Sequence, residues 1–422
     1  MKAISKIVFP VFFIFTSLAF VSVQNDSDRK ENVADDKNVI PVTDSTSLKF
    51  IQIAAGGDFS LALRSDGTVW SWGNNKYGEL GCGDMKKSAF PIQITTLTDI
   101  VAISAGPRHG LALKKDSTVW AWGDNTFGEL GNGTNVSSRL PFQVDSISGV
   151  IAIAAGGAEL DVISSGYTSG STFSIYFSIV CFSVVLKSDG TVWHWGTYSK
   201  CRGQDRDTVV QHYWRPKQLM SVTNIISIAA GGAHGLALRE DGTVWAWGGN
   251  MSAQLGDGTH DSRCFAAQVF GMTGITAISA GGERSMALAG DSTIWFWGDM
   301  PPVYNQTHEF NFDPVHMKNL QGIISISVGV HHCLVLNKYG IIYSWGMGGS
   351  GQLGSKKQYS KKVIKVQAMG KVSAISAGAE HSMAIKWDGT VWAWGENYDG
   401  RLGNGGKKDM NFPVPCGKIS GK

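Results

Sequence analysis

The sequence predicts an all-β fold made of seven copies of one four-stranded antiparallel unit, and three observations lead to it. A tryptophan-centred stretch, typified by Val244-Trp245-Ala246-Trp247-Gly248, occurs seven times at intervals of 50, 73, 52, 50, 48 and 49 residues. Intervals of this size are typical of arrays in which one supersecondary unit repeats. Most copies have a turn signal upstream of the tryptophans, and strand-like apolar runs lie on both sides of that turn.

The tryptophan stretch has the pattern of a strand that is covered on both faces. Trp245 and Trp247 are two residues apart and point to one face, while Val244 and Ala246 point to the other. Six copies carry both tryptophans, and Tyr343 replaces the first in the sixth copy. Because a buried indole removes a large apolar area from water, we expect these residues to dominate the core. The structural core positions are Trp72, Trp122, Trp195, Trp247, Trp297, Trp345 and Trp394.

Three further strands complete the unit. In four copies an Asp-Gly turn, such as Asp241-Gly242, precedes the tryptophans, and we expect positive φ at both of its central positions. A second strand lies before that turn. The strand before it, the first of the unit, ends in small residues such as Ala230-Gly231, which allow the close backbone approach that a crowded centre requires. The fourth strand often carries proline, as at Pro91, which suits an outer edge. Together these strands predict a seven-bladed β-propeller.

The residues also carry a family resemblance. Ile228-Ala229-Ala230-Gly231-Gly232-Ala233-His234, followed by Asp241-Gly242-Thr243-Val244-Trp245-Ala246-Trp247-Gly248 and Gln254-Leu255-Gly256, resembles the regulator of chromosome condensation repeat. The resemblance covers about residues 38–419 and implies seven blades. It leaves function open, because related repeats serve nucleotide exchange, ubiquitin ligases and secreted bacterial inhibitors of β-lactamase. The chain is most similar in organisation to the secreted bacterial-type members.

The N-terminal segment predicts export. Residues 1–23 begin with Lys2 and Lys6 and continue as an almost unbroken apolar run, the pattern of a secretory signal peptide. The length also fits a membrane anchor, and no Ala-x-Ala cleavage site decides between the two. Residues 24–37 are polar and charged and are expected to form a linker, which leaves residues 38–422 for the propeller. The expected location is therefore secreted or cell-surface.

The sequence contains eight strands of the fourth type for seven sets of the others. One surrounds Pro41 near the N-terminus, and another surrounds Pro413 near the C-terminus. One of the two should complete the last blade and so close the ring. The N-terminal strand is the one we expect to do so, which would make residues 38–46 necessary for cooperative unfolding.

The third repeat contains an insertion at about residues 160–180. Residues 172–179 alternate between polar and apolar side chains, and a turn signal precedes them, so the insertion reads as a hairpin projecting from one face. The alternative is a loop folded back onto the propeller. A projecting hairpin would expose an apolar patch of the kind that marks interaction sites. Its candidate binding residues are Tyr167, Phe173, Tyr176 and Phe177.

The connection after the tryptophans departs from the rule in the third and fifth repeats. Five copies keep a Gly-x-Leu-Gly core or its Ala variant, whereas the third has Tyr198 and the fifth has Tyr304 in unrelated sequence. Such departures indicate either function or drift. Tyr198 and Tyr304 complete the set of candidate binding residues.

Histidine recurs at one repeat position, and cysteine recurs at none. His109, His234, His332 and His381 share the position, which phenylalanine or arginine takes in the other copies. These replacements would interrupt a metal-binding ring, so we expect structural histidines that bond to the backbone of their own or the next blade. The six cysteines form no Cys-x-x-Cys pair, so no metal site is predicted, and we expect most of them to be free thiols.

Composition and motifs predict a binding protein rather than an enzyme. With 37 basic and 34 acidic residues the net charge is +3, which gives no electrostatic case for nucleic acid. No motif indicates catalysis or a cofactor; the match of residues 346–351 to a dinucleotide fingerprint lacks a following helix. We expect a protein partner, with a glycan as the other ligand class and membrane contact only through an uncleaved N-terminus. The alternatives are guanine-nucleotide exchange on a small GTPase and, third, a lyase acting in the central channel.

Overall fold

The computed structural model describes residues 48–158, 180–197, 201–202, 208–209, 212–300, 309–317, 320–367 and 369–417. These residues form seven sheets and no helix, and each sheet contains the four antiparallel strands of one repeat. The sheet of the fourth repeat also carries the short strands Cys201–Arg202 and Thr208–Val209 at its edge. The sheets stand around a central axis as the blades of a propeller, with the first strand of each blade innermost. The seven-bladed β-propeller predicted from the repeats is confirmed. The described residues include no helix that could cross a membrane.

The strands are numbered in chain order. Blade one contains Phe50–Ala55, Phe59–Arg64, Val69–Gly73 and Ser88–Gln93 (β1–β4), and blade two contains Ile100–Ala105, His109–Lys114, Val119–Gly123 and Ser138–Gln143 (β5–β8). Blade three contains Val150–Ala158, Val180–Lys187, Val192–Thr197 (β9–β11) and, after the short strands Cys201–Arg202 and Thr208–Val209 (β12, β13), His212–Gln218 (β14). Blade four contains Ile225–Ala230, His234–Arg239, Val244–Gly248 and Arg263–Val269 (β15–β18). Blade five contains Ile275–Gly281, Arg284–Ala289, Ile294–Met300 and Glu309–Met317 (β19–β22). Blade six contains Ile323–Val328, His332–Asn337, Ile342–Met347 and Tyr359–Lys365 (β23–β26). Blade seven contains Val372–Ala377, His381–Lys386, Val391–Gly395 and Met410–Pro415 (β27–β30).

The hairpin turn before each tryptophan strand is one residue longer than the two-residue turn that the sequence suggested. In blade one Gly67 N donates to Arg64 O, and Gly67 alone has positive φ, at 78°, so the expected pair of positive φ values is wrong. Asp66 instead accepts hydrogen bonds from Thr68 N (3.1 Å) and Thr68 Oγ1 (2.7 Å). These bonds, together with a larger contribution from the Arg64 guanidinium, lower the pKa of Asp66 to about 2. The geometry is that of a three-residue hairpin loop with glycine at its last position.

Two blades place serine where the others use glycine, which leads to a stability prediction. Ser117 adopts φ of 66°, a left-handed conformation that costs a residue with a Cβ about 1–2 kcal/mol. We expect Ser117→Gly to raise the free energy of unfolding by about 0.5–1 kcal/mol, after the greater chain entropy of glycine is subtracted. Lys115→Gly, in the same turn but outside the left-handed region, should lower it. Urea melts of both variants check this, and equal signs for the two would contradict it.

The second tryptophan of each pair is the most buried part of its blade. Trp72, Trp122, Trp195, Trp247, Trp297, Trp345 and Trp394 are all between 0% and 3% exposed. Each lies at the interface with the preceding blade, where Trp122 Nε1 donates to Glu79 O at 2.8 Å and Trp394 Nε1 donates to Gln352 O at 2.9 Å. The first tryptophan of the pair is more exposed in most blades, and its indole bonds to the turn threonine, as Trp245 does to Thr243 at 3.1 Å.

The C-terminal strand completes the last blade of the ring. The fourth strand of blade seven is β30, which pairs with β29 through Trp392↔Pro415 and Ala393↔Val414. The expectation that the N-terminal strand fills this position is therefore wrong, because the C-terminal strand already satisfies the ladder; residues 38–46 lie outside the described residues. Blade seven and blade one meet through side chains and inner strands, as the other blades do.

Blade three has the longest inner ladder. Its first two strands continue to the pairs Cys181↔Gly157 and Val180↔Ala158, beyond the point where β1 and β2 stop pairing at Ala55↔Ser60. The insertion lies between Ala158 and Val180, so residues 160–180 fall almost wholly outside the described residues.

The cysteines divide into two groups. Cys82, Cys181, Cys333 and Cys416 are free thiols, and burial raises the pKa of Cys333 to about 12. Cys264, on the outer strand of blade four, is disulfide-bonded. The prediction of mostly free cysteines therefore holds for these four and fails for Cys264.

Candidate functional site

All the irregular connections open on one end of the ring, which we call the loop face. In every blade the first and third strands run toward this end and the second and fourth run away from it. The loops from first to second strand and from third to fourth strand therefore emerge together. The three departures from the repeat lie here, between Ala158 and Val180, between Thr197 and His212, and between Met300 and Glu309. A seven-fold regular scaffold thus concentrates its variation on one surface.

The sequence-predicted binding residues belong to these three connections. Tyr167, Phe173, Tyr176, Phe177, Tyr198 and Tyr304 all lie outside the described residues. The structure therefore fixes the strands from which these segments depart but does not test the side chains themselves. The order of the strands does place all six in segments that start and end on the loop face.

A central channel of about 230 Å³ runs to the middle of this face. Small residues from the first strand of every blade form its wall, and a Cβ on Gly57 would lie 2.5 Å from Pro107 O. The serines of this wall hold neighbouring blades together, since Ser104 Oγ accepts from Ala155 N at 2.9 Å and Ser376 Oγ accepts from Ala55 N at 3.0 Å. The hydroxyls are therefore engaged in the scaffold itself.

Charged side chains surround the channel mouth. Asp58, Glu380 and His331 line the channel at the loop face. Glu380 lies 3.5 Å from His331 Nε2 and accepts a hydrogen bond from the side chain of Gln352. Glu283 accepts a hydrogen bond from Ser252 Oγ. These carboxylates are held by neighbouring repeats, which gives the mouth an acidic and ordered rim.

Two buried arginines anchor this rim. Arg401 is 3% exposed and places Nη1 2.7 Å from Glu396 and 3.0 Å from Asp58, so it links blade seven to blade one. Arg284, also 3% exposed, donates to the side chain of Asp299 at 2.6 Å and to Val330 O in the next blade. Each arginine spans a blade boundary beneath the loop face.

Two carboxyls lie deeper, under blades one and two. Glu79 and Glu129 occupy equivalent positions, are 1% and 0% exposed, and each accepts a backbone N–H two residues upstream. Burial raises the pKa of Glu79 to about 7 and that of Glu129 to about 8. Asp124, 1% exposed, adds to both shifts by charge repulsion. Their burial makes these carboxyls part of the support for the face and keeps them from direct ligand contact.

The recurring histidines connect consecutive blades. His109, His234, His332 and His381 each place Nε2 between 2.7 and 3.1 Å from the hydroxyl of a serine in the next blade. Each serine hydroxyl donates to a backbone carbonyl at 2.8 Å, so its oxygen accepts from the histidine N–H. The serine partners are Ser183, Ser285, Ser382 and Ser60.

Burial keeps these histidines neutral. It lowers the pKa of His109 to about 4, that of His234 and His332 to about 3, and that of His381 well below its ordinary value. The prediction of a structural role agrees with this geometry, although the main partner is a side chain of the next blade rather than backbone. Within the described residues, no group of three histidine, cysteine or carboxylate side chains is arranged to hold a metal.

Sequence reasoning missed the residues that support the loop face. The x of each Gly-x-Leu-Gly core is Glu79, Glu129 or Arg401, or a glutamine in other blades, and its backbone carbonyl accepts the next blade's indole N–H. The sequence signal that could have indicated this role is the constant spacing between the Gly-x-Leu-Gly core and the tryptophans before it. The arrangement as a whole can present shaped loops and a charged rim to a partner.

A comparison with protein families finds matches over most of the repeats. Models described as "Regulator of chromosome condensation (RCC1) repeat" match residues 66–113, 116–158, 241–288, 339–385 and 388–421, and a second such model matches residues 50–79, 100–129, 225–254 and 372–401.

Relatives among characterised proteins share parts of the chain. The human E3 ubiquitin-protein ligase HERC2 is 41% identical over 81 residues, which is 18% of this chain and 2% of HERC2. The Ultraviolet-B receptor UVR8 of Arabidopsis thaliana is 27% identical over 327 residues, or 78% of this chain and 60% of UVR8. Human Protein RCC2 is 26% identical over 219 residues, or 45% and 42%. The chain thus spans less than two thirds of the length of each of these proteins.

Solved structures show the same fold. Prp20p from Saccharomyces cerevisiae, described with its binding properties to Gsp1p and histones, superposes with a TM-score of 0.67 at 22% identity over 85% of this chain and 88% of that one. Yeast RCC1 (Prp20) bound to Kap60 gives a TM-score of 0.66 at 20% identity over 93% and 92%. At these identities the likeness concerns the fold alone.

Proposed function

The chain belongs to the regulator of chromosome condensation (RCC1) repeat family, and from that premise we propose that it is a non-enzymatic scaffold that binds a protein partner through the loop face. One observation carries the proposal: the three connections that break the repeat all open on that face, around a channel mouth lined by Asp58 and Glu380. Loops held by a rigid scaffold are where binding residues concentrate. The propeller supplies such a scaffold, since arginine, histidine and tryptophan bonds cross its blade boundaries.

The relatives support a binding role. Prp20p, which shares the fold, is described by its binding to Gsp1p and histones, and a structure shows yeast RCC1 bound to Kap60. Proteins with this fold therefore include protein-binding ones, which supports a binding role for this chain. Tyr167, Phe173, Tyr176, Phe177, Tyr198 and Tyr304 remain our candidates for the contact residues.

We further propose that the protein works outside the cytoplasm, either secreted or held at the cell surface. The proposal rests on the basic start and apolar run of residues 1–23. The disulfide at Cys264 supports it, because disulfides persist mainly in oxidising compartments. The mass of the mature N-terminus tests this: loss of about 23 residues supports secretion, and an intact, membrane-associated N-terminus supports an anchor.

The binding proposal is tested by trimming the loop face. We expect a variant in which residues 158–181 are replaced by a single aspartate, so that Gly157 and Phe182 are joined as Gly57 and Phe59 are by Asp58 in blade one, to keep the parent melting temperature and to lose the proteins that the parent captures from extracellular extracts. A variant with Lys115→Glu, on the opposite face, should capture the same proteins as the parent. Equal capture by the loop-trimmed variant would contradict this use of the insertion.

Nucleotide exchange on a small GTPase is the second candidate function. The likeness to Prp20p favours it, whereas the predicted export of the chain opposes it. Release of a fluorescent guanine nucleotide from candidate GTPases separates the two functions. Under the scaffold proposal the release rate stays at its intrinsic value, and acceleration of tenfold or more would establish exchange instead.

A further inference from the structure

The positive charge of this chain is concentrated on blade six. Residues 314–379 contain eight lysines and neither an aspartate nor a glutamate, whereas the whole chain has a net charge of only +3. The remaining residues therefore have a net charge of −5. Residues 314–379 form a strongly basic sector in a chain whose total charge is small. The lysines are Lys318, Lys338, Lys356, Lys357, Lys361, Lys362, Lys365 and Lys371.

Five of these lysines lie on the outside of the blade. Lys356 and Lys357 are on the loop face, Lys362 and Lys365 are on the outer strand β26, and Lys371 follows at the opposite end; all five are exposed. In the part of the chain that the structure describes, none of these five has a carboxylate within ion-pair distance. They form a stripe along the height of the propeller, which we call the lysine edge.

The outer strand of blade six also differs in its backbone. Each outer strand contains a three-residue bulge opposite one residue of the third strand, and the third bulge residue is proline in five blades. Those residues are Pro91, Pro141, Pro216, Pro314 and Pro413. Because proline has no N–H, it prevents another strand from pairing there. Natural sheets use this device to protect their edges.

Blade four lacks this proline, but its edge is already occupied. The equivalent residue is Ala266, whose N–H donates to Ser221 Oγ at 2.9 Å, and the short strand β12 pairs beside it through Arg202↔Arg263. Ala266 thus shows that the backbone N–H at this bulge position points outward and can be used.

Blade six has Val363 at the same position. The bond from Val366 N to Ile342 O fixes the alternation of the strand, so the backbone groups of Val363 and Lys365 face away from β25. Blade six therefore combines two features. The residue at this bulge position keeps an outward N–H, and no described strand lies along the outer side of β26. The lysine edge surrounds this pairing site.

We propose that the outer edge of blade six binds an acidic, extended segment of a partner protein, which pairs with the backbone of Val363 and Lys365 while its carboxylates contact the lysine edge. Strand addition of this kind takes its affinity from main-chain hydrogen bonds and its selectivity from side chains. The pairing site on β26 lies on the side of the propeller, and only Lys356 and Lys357 of the lysine edge reach the loop face, so the inference does not depend on the proposed function.

Two features favour a peptide over nucleic acid or edge protection alone. The basic sector contains no arginine, the residue best suited to bidentate phosphate contacts. Edge protection requires lysines on the strand, yet Lys356, Lys357 and Lys371 lie beyond the ends of β26. A lysine-lined edge repels basic and apolar strands but attracts an acidic one.

The test uses Val363→Pro, which installs the residue that five other blades carry at this position and is therefore compatible with the fold. The probe is a fluorescein-labelled heptapeptide of alternating glutamate and valine, measured by fluorescence anisotropy at low and high salt. We expect the parent to bind it and Val363→Pro to bind at least tenfold more weakly with an unchanged melting temperature. The triple variant Lys356→Gln, Lys362→Gln, Lys371→Gln should also bind at least tenfold more weakly and lose most of the salt dependence.

The controls separate strand pairing from simple charge attraction. Lys76→Gln, Lys86→Gln, Lys115→Gln removes three exposed charges from blades one and two and should leave binding unchanged. The same peptide with alternate N-methylated amides should bind at least tenfold more weakly than the unmodified peptide. Equal binding of the methylated peptide, of duplex DNA or of anionic vesicles would overturn the proposal, as would unchanged binding by Val363→Pro.

Discussion

Replacing Trp247 by alanine is expected to lower the free energy of unfolding by about 3–5 kcal/mol. Trp247 is 1% exposed and packs with Phe182 and Ala237 at the boundary between blades three and four. Its Nε1 has no partner among the described residues, so the loss is one of packing and of the cavity left behind. Urea denaturation followed by circular dichroism measures the change.

Substitutions at two other tryptophans serve as controls for the size of this effect. Trp387→Ala makes the same change at a side chain that is 56% exposed and whose Nε1 donates to Val372 O at 3.1 Å, so it should cost only about 1 kcal/mol. Trp394→Phe keeps an aromatic ring but loses the hydrogen bond to Gln352 O, and we expect it to cost about 1–3 kcal/mol. An effect at Trp247 no larger than that at Trp387 would show that the blade boundaries do not depend on these indoles.

Acidification from pH 6.5 to pH 5 should destabilise the protein strongly. Burial lowers the pKa of five histidines, so the folded protein holds them neutral while the unfolded chain takes up protons below its ordinary histidine pKa of about 6.5. Their contribution is present above that pH and is lost as the pH falls toward about 4. The five are His109, His194, His234, His332 and His381.

Buried carboxyls act in the opposite direction in the same range. Glu79 and Glu129 keep protons in the folded state up to about pH 7 and pH 8, so they stabilise the fold more as the pH falls toward their unfolded value of about 4.5. Glu396, whose pKa burial also raises, adds to this side. The histidines outnumber these groups, so the net loss is on the order of 3 kcal/mol per pH unit near pH 5.5. Urea melts between pH 5 and pH 8 should show maximal stability near neutral pH.

The chain itself offers a matched control for this pH dependence. Where a blade has phenylalanine in place of the histidine, the next blade has glycine in place of the serine, as in the pair Phe59 and Gly110. The double change His332→Phe, Ser382→Gly copies that pair into the boundary between blades six and seven. It should fold and should reduce the proton uptake on unfolding at pH 5.5 by about one. An unchanged slope of stability against pH would exclude His332 as a source of the acid sensitivity.

The parts of the fold that the sequence predicted are those repeated in every blade. Seven tryptophan-centred stretches indicate seven sheets, and the proline of the fourth strand indicates an edge, because each pattern follows from the structure of a single blade. The turn differed, since Asp66 uses its side chain to hold Thr68 and so leaves positive φ to Gly67 alone. A dipeptide does not distinguish these two hairpin geometries.

Features that depend on contacts between blades were harder to predict. The roles of Glu79 and Arg401 were not predicted, because the role that recurs at this position belongs to the backbone carbonyl and the side chain differs between blades. The choice between the two terminal strands depended on which one pairs with β29, and both carry the same proline pattern. The candidate binding residues are non-repeating, so no internal comparison could constrain them.

The completion of blade seven by β30 has a consequence for how the gene could be rearranged. In the described residues each blade takes its four main strands from its own repeat, and only the short strands β12 and β13 cross a boundary, from blade three to the edge of blade four. The junction between the last and first blades is therefore built from the same kinds of contact as the others. Circular permutation that opens the chain at the connection after Leu97 or after Met272, with the original ends joined by a flexible linker, should therefore yield the same ring. The fold then does not require the chain to begin at blade one.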